Sequence, residues 1–235
     1  MVKYQLYQDK DPLELAVELK IPDKINYYFD IIKAKLVKKE NISEEEFETL
    51  YQEKIKNYIM NKIYEKIYPP EPSEKDTKIF KKSITHSWIE PNLIVDKDYI
   101  YDNILPDILN QIKQIQKVKT PLKKLKCIKQ IIELIQSLIQ FNEGENKTML
   151  GSDDITPVLN YSFIQAHPFR IYTDLEFVKI YLGIKEGQSA YYVKQLESAY
   201  TILLSYKAES FKLTPEEYKQ KCDDAANNLK KRNNN

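Results

Sequence analysis

A chain of 235 residues with 42% hydrophobic and 30% charged residues can bury one large core or two small ones, and is not composed like a disordered segment. Its 36 basic and 35 acidic residues leave a formal net charge of +1, which lacks the strong basic bias of a nucleic-acid binder, and 4 glycines are few for phosphate-cradling loops. No stretch approaches the ~20 apolar residues of a membrane span, Met1 to Lys10 lacks the apolar core of a signal peptide, and Cys127 and Cys222 show no metal or disulfide spacing and read as reduced cytosolic thiols.

Helical periodicity runs through most of the chain. Leu13, Val17 and Leu19 predict a short helix stopped near Pro22, and Ile25, Tyr28, Phe29, Ile32 and Leu36 predict a second. Ser43 and Glu46 form a capping-box pattern that opens a long helix carrying Phe47, Leu50, Tyr51, Ile55, Tyr58, Ile59, Ile63 and Ile67. Pro69, Pro70 and Pro72 end it, since proline cannot supply the helical N–H. A short helix over 73–82 is followed by a turn around Pro91, flanked by Trp88, Ile89 and Leu93. The next helix spans 104–118, with Pro106 in its opening turn. Thr120-Pro121 starts another, by N-cap and first-turn preference, with the stripe Leu125, Ile128, Ile131, Ile132, Ile135, Leu138 and Ile139. A polar loop over 142–146 precedes helices over 153–165, 174–181 and 190–206. Thr214 and Glu217 form a second capping box that opens a terminal helix, and 227–235 reads as a frayed polar tail. No segment shows the alternation of a strand, so the fold class is all-α.

Covalent chemistry finds little support. His86 and His167 belong to no spaced ligand set and read as packing or surface residues, and Cys127, flanked by apolar residues on a helix, reads as a small core residue rather than a nucleophile. No phosphate-loop, nucleophile-elbow or dinucleotide pattern is present, and no metal or cofactor is implied. One stretch stands out. Residues 151–168 read Gly-Ser-Asp-Asp-Ile-Thr-Pro-Val-Leu-Asn-Tyr-Ser-Phe-Ile-Gln-Ala-His-Pro, placing Asp153 and Asp154 at the start of an apolar helix with Pro157 in its first turn. Both acids can cap, because carboxylates accept the orphan N–H groups and oppose the helix dipole. One acid suffices for that, which frees the other to face a partner from a rigid helix end. Tyr191 and Tyr192 open a later helix, where a ring with a polar tip suits either half-buried packing or an interface.

Together these stretches resemble the vacuolar-protein-sorting-nine exchange domain. Its usual form reads Gly-Ala-Asp-Asp-Leu-Leu-Pro-Val-Leu-Ile-Tyr, then an Ala-Asn-Pro-Pro-like turn, an Asn-Ile-Glu-Tyr-like helix and Gly-Tyr-Tyr-Leu-Thr-Asn-Leu. The matching residues are 151–161, 166–168, 173–177 and 190–196. Upstream, Tyr58-Ile-Met-Asn-Lys-Ile-Tyr64, Trp88-Ile-Glu-Pro91 and Thr120-Pro-Leu-Lys-Lys-Leu-Lys-Cys-Ile128 resemble further family segments in the same order, so the likeness covers roughly 50–205.

The resemblance implies an N-terminal helical bundle over 1–95, a layered helical exchange core over 96–208, and a C-terminal helix and tail over 209–235 returning to the bundle. It also implies a guanine-nucleotide exchange factor for a Rab-five-group GTPase, GDP-bound or nucleotide-free, working in endosomal traffic. By the same resemblance the chain is a cytoplasmic monomer recruited to endosomes, with no membrane insertion of its own. Asp153 would be the acid that enters the nucleotide site, competing for the phosphate-loop lysine and disfavouring Mg²⁺ there. Asp154, Pro157, Tyr161, Tyr191 and Lys194 would meet the GTPase, with Tyr191 on its switch region. Lys194 departs from the family's usual Thr, putting a long cation where a hydroxyl is expected and altering partner choice or activity. The alternatives are a relative that binds a Rab without driving exchange, and a helical scaffold.

Overall fold

A computed structural model describes residues 20–95, 104–143 and 150–233. The chain divides into two compact units, Met1–Ile63 and Tyr64–Asn235. All regular structure among the described residues is helical. The helix predicted around Leu13 lies outside the described residues.

In the first unit, α1 spans Ile21–Glu40 with Pro22 at its start. Proline is tolerated there because the first N–H groups have no intrahelical partner, so Pro22 opens a helix where it was expected to close one. Asn41, in the left-handed region at φ 51°, ends it. Ser43 Oγ then accepts the Glu46 N–H at 3.0 Å, half of the expected box, and starts α2, Glu44–Glu46. The helix passes through one π-helical turn, Phe47–Tyr51, into α3, Gln52–Ile67, whose last four residues belong to the second unit. Phe47, fully buried, packs against Phe29 with ring centroids 6.0 Å apart.

The second unit contains α4 (Glu74–Thr85), α5 (Leu105–Lys117), α6 (Pro121–Glu143), α7 (Ser152–Ala166), α8 (Ile171–Leu182), α9 (Gly187–Ser205) and α10 (Pro215–Asn233), with short 3₁₀ turns at Pro91–Leu93 and Ala208–Phe211. The predicted stripe of α6 is the heart of the core: Ile128, Ile131, Ile132, Ile135, Leu138 and Ile139 are fully buried, and Cys127 lies beside them. α5, α7, α8 and α9 all pack on α6, while α4 lies against α7, α8, α9 and α10. Thr120 Oγ1 accepts the Lys123 N–H at 3.3 Å, as its place ahead of Pro121 predicts.

α10 is closed at its start by both halves of the predicted box. The Thr214 N–H donates to Glu217 Oε2 at 2.9 Å, and the Glu217 N–H donates to Thr214 Oγ1 at 3.2 Å. The helix runs to Asn233 rather than fraying from 227, because Tyr218 and Ala225 pack inward and anchor it. His86, 1% exposed, sits beneath it. The His86 ring lies against Tyr206 and Tyr218, with Nε2 2.6 Å from the Tyr218 hydroxyl, and Lys82 Nζ donates to the Tyr206 carbonyl at 2.7 Å. Burial, and then the Lys82 charge, lower the His86 pKa to about 4.

A second polar cluster pins the core helices. Lys124 on α6 and Asp174 on α8 are both fully buried, with Lys124 Nζ 2.7 Å from Asp174 Oδ1. Lys124 also donates to the Ile115 carbonyl at 2.7 Å, and the Tyr68 hydroxyl donates to Asp174 at 2.6 Å. Burial pushes the ammonium pKa down and the carboxyl pKa up, and the ion pair opposes both.

Candidate functional site

The first turn of α7 separates the two acids by role. Asp154 Oδ2 accepts the Gly151 N–H at 3.0 Å, so Asp154 caps the helix. Asp153 is exposed and accepts no hydrogen bond from another described residue. A carboxylate at this end also faces the positive pole of the helix. One acid is thus spent on the cap, and the other is exposed.

Pro157 is the sixth residue of α7 and lies inside the helix, in its second turn rather than its first, with the helix beginning one residue earlier than expected, at Ser152. Its missing N–H is the one that would bond the Asp153 carbonyl four residues back, and its ring presses on that carbonyl. Pro157 thus acts on the backbone of the acid-bearing residue.

α9 supplies the second wall. It opens at Gly187, whose φ of 80° suits glycine, three residues before the predicted start. Tyr192 turns into the core and is 8% exposed, while Tyr191 is 36% exposed. The adjacent tyrosines divide into an anchor and a presented ring. Lys194 is exposed and has no ion-pair partner among the described residues.

Polar side chains fix how α7 and α9 meet. Thr156 Oγ1 donates to Gln195 Oε1 at 3.2 Å, and Gln195 Nε2 donates to Ser152 Oγ at 2.6 Å. One turn further along, Asn160 Nδ2 donates to the Ala199 carbonyl at 2.7 Å while Asn160 Oδ1 accepts from the Tyr206 hydroxyl at 2.9 Å. These contacts advance together along both helices, so the helices run in the same direction. Tyr191, one turn before Gln195, therefore lies at the same end as Asp153. Asn160, a departure from the family's usual aliphatic, is a buried and satisfied bridge. On the other flank, Lys179 of α8 donates to Glu197 of α9 at 2.7 Å and also pairs with Glu176.

Asp153, Asp154, Pro157, Tyr191 and Lys194 thus share one end of the α7–α9 pair. Tyr161 does not: it lies about 12 Å further along the helix axis at ~1.5 Å per residue. It is half-buried against the core, and burial, with Glu90 nearby, raises its phenol pKa. Ser152, Thr156 and Gln195 were passed over in the sequence. Their signal was available, since they stand where the family pattern has Ala, Leu and Asn.

Among the described residues no group of three or more His, Cys, Asp or Glu side chains could hold a metal ion, and no helix is long and apolar enough to cross a membrane. The exposed carboxylate, the presented ring and the cation suit recognition of a charged partner surface.

Residues 105–208 match the family model described as Vacuolar sorting protein 9 (VPS9) domain. The chain is 27% identical over 192 residues to Vacuolar protein sorting-associated protein 9A of Arabidopsis thaliana, covering 78% of this chain and 36% of that protein. It is 26% identical over 188 residues to the protein of the same name from Oryza sativa subsp. japonica, covering 77% and 39%. It is also 24% identical over 177 residues to the Rab5 GDP/GTP exchange factor of Homo sapiens, covering 71% and 35%. The chain thus spans less than two fifths of the length of these relatives.

Proposed function

We propose that this chain, whose residues 105–208 match the VPS9 domain, is a guanine-nucleotide exchange factor for a Rab-five-like small GTPase in endocytic traffic. The observation that carries the proposal is the exposed Asp153 at the tip of α7, relieved of capping by Asp154 and at the same helix end as Tyr191. A GTPase-bound nucleotide is held by Mg²⁺ and by a lysine, both positive. A carboxylate brought between them competes for the lysine and disfavours the metal, and GDP leaves. Tyr191 and the neighbouring apolar surface hold the switch region meanwhile, and no covalent bond is made or broken. The chain acts as a monomer on the GDP-bound or nucleotide-free GTPase, and its endosomal association is borrowed from partners.

The test is a GDP-release screen over a panel of Rab GTPases loaded with fluorescent GDP. Substoichiometric protein accelerates release from a Rab-five-like member; no acceleration on any member overturns the proposal. Lys194 favours a second reading, a Rab-binding module, because it sets an exposed cation, without an ion-pair partner among the described residues, at the same helix end. Capture of a nucleotide-free Rab without catalysed release would select that reading.

A further inference from the structure

Gln195 joins two hydroxyls one helical turn apart on α7, accepting from Thr156 at 3.2 Å and donating to Ser152 at 2.6 Å. It is 4% exposed, and Thr156 is 8% exposed. Ser152, by contrast, is exposed at the very start of the helix. The amide therefore reaches from the interior out to the residue that precedes Asp153. First turns of helices fray because their N–H groups lack helical partners. Here the turn is held twice, from within by the Asp154 cap and from outside by Gln195. Asp153 is fixed through its backbone on both sides while its own carboxylate is exposed and has no partner among the described residues.

Resting on the exchange reading above, we infer that Gln195 is a positioning residue that sets the register between the Asp153 carboxylate and the Tyr191 ring. Gln195 touches neither GTPase nor nucleotide. It lies one turn beyond Tyr191 on α9, so the tie that holds the α7 tip originates on the helix that meets the switch region. A GTPase engaging both groups at once meets them at a preset spacing. Without the tie, the surface that binds is intact but the acid wanders, and loss of a defined geometry is felt in the nucleotide-release step more than in binding.

The experiment measures GDP release at increasing exchange-factor concentration, to separate the saturating rate from the half-saturating concentration. Ser152→Ala, at an exposed position, is expected to fold as wild type and to lower the saturating rate about threefold at unchanged half-saturation. Gln195→Leu lowers it about tenfold and lowers the melting temperature, because two hydroxyls lose their partner. The triple variant Ser152→Ala, Thr156→Val, Gln195→Leu replaces the polar tie by apolar contact. It recovers the melting temperature but not the saturating rate, which a merely structural role would restore together. Wild-type saturating rates in Ser152→Ala, or in a triple variant that has recovered its melting temperature, overturn the inference. Asp153→Ala is run alongside: if it is inert while the Gln195 variants are unaffected, the exchange reading stands and only the positioning role falls. If Asp153→Ala itself releases GDP at the wild-type rate, both fall.

Discussion

Replacing Lys124 with methionine tests the main polar joint of the second unit. Methionine fills similar volume but removes the ammonium that contacts Asp174 Oδ1 and the Ile115 carbonyl, each at 2.7 Å. Asp174 is fully buried, and among the described residues its Oδ2 has no hydrogen-bond partner and the Tyr68 hydroxyl at 2.6 Å alone would remain on Oδ1. Breaking a buried pair from one side leaves an uncompensated charge and destabilises by about 3–5 kcal/mol. That is a large share of the ~5–15 kcal/mol of a typical domain. For a unit of this size it lowers the melting temperature by roughly 6–20 °C, at ~2–4 °C per kcal/mol. The double variant Lys124→Met, Asp174→Leu removes both charges and should lose less than half as much as Lys124→Met alone. Trp88, the one tryptophan, belongs to the second unit, so urea unfolding followed by its fluorescence reads that unit. A loss below about 1 kcal/mol for the single variant, or a double variant as unstable as the sum of the two single variants, would refute the reasoning.

His86 gives the second unit an acid limit. Its folded pKa is lowered to about 4, below its unfolded value of ~6.5, so folding holds it neutral. Its stabilising contribution is complete above about pH 6.5 and is lost as pH falls toward 4, by up to ~3 kcal/mol; a flat stability profile from pH 7 to 4.5 would contradict this. Asp154→Ala removes the cap of α7 and should lower stability by ~0.5–2 kcal/mol, whereas Asp153→Ala should leave the melting temperature within about 1 °C; equal thermal losses would remove the division of roles between the acids. Lys194→Thr should raise the release rate on a Rab-five-like GTPase severalfold without moving the melting temperature, and an unchanged rate on every Rab would take Lys194 out of the interface.

Most helices could be read from local patterning, since each carries its own apolar stripe and several carry their own caps. The Thr214 box and the Thr120-Pro121 start behave as their residues dictate. The local errors have local causes. Pro22 is compatible with either end of a helix, and the polar composition of 227–233 conceals that Tyr218 and Ala225 anchor the helix those residues extend. What could not be read is long-range. The α7–α9 bonds join residues 39 to 46 positions apart, and no periodicity announces them. Asn160 reads in isolation as a polar intruder in an apolar helix; only the packed structure supplies the Ala199 carbonyl and the Tyr206 hydroxyl that satisfy it. Asp153 was legible as half of a pair, but which acid caps and which stays outward is settled by the bond to Gly151.

The most direct measurement is the rate of fluorescent GDP release from the most responsive Rab, with wild-type protein and Asp153→Ala at equal concentration. A charge-assisted contact contributes about 1.5–3 kcal/mol, and ~1.4 kcal/mol is a factor of ten in rate. The variant should therefore be slower by roughly tenfold to a hundredfold while folding normally. A folded Asp153→Ala protein that releases GDP as fast as wild type would contradict the account.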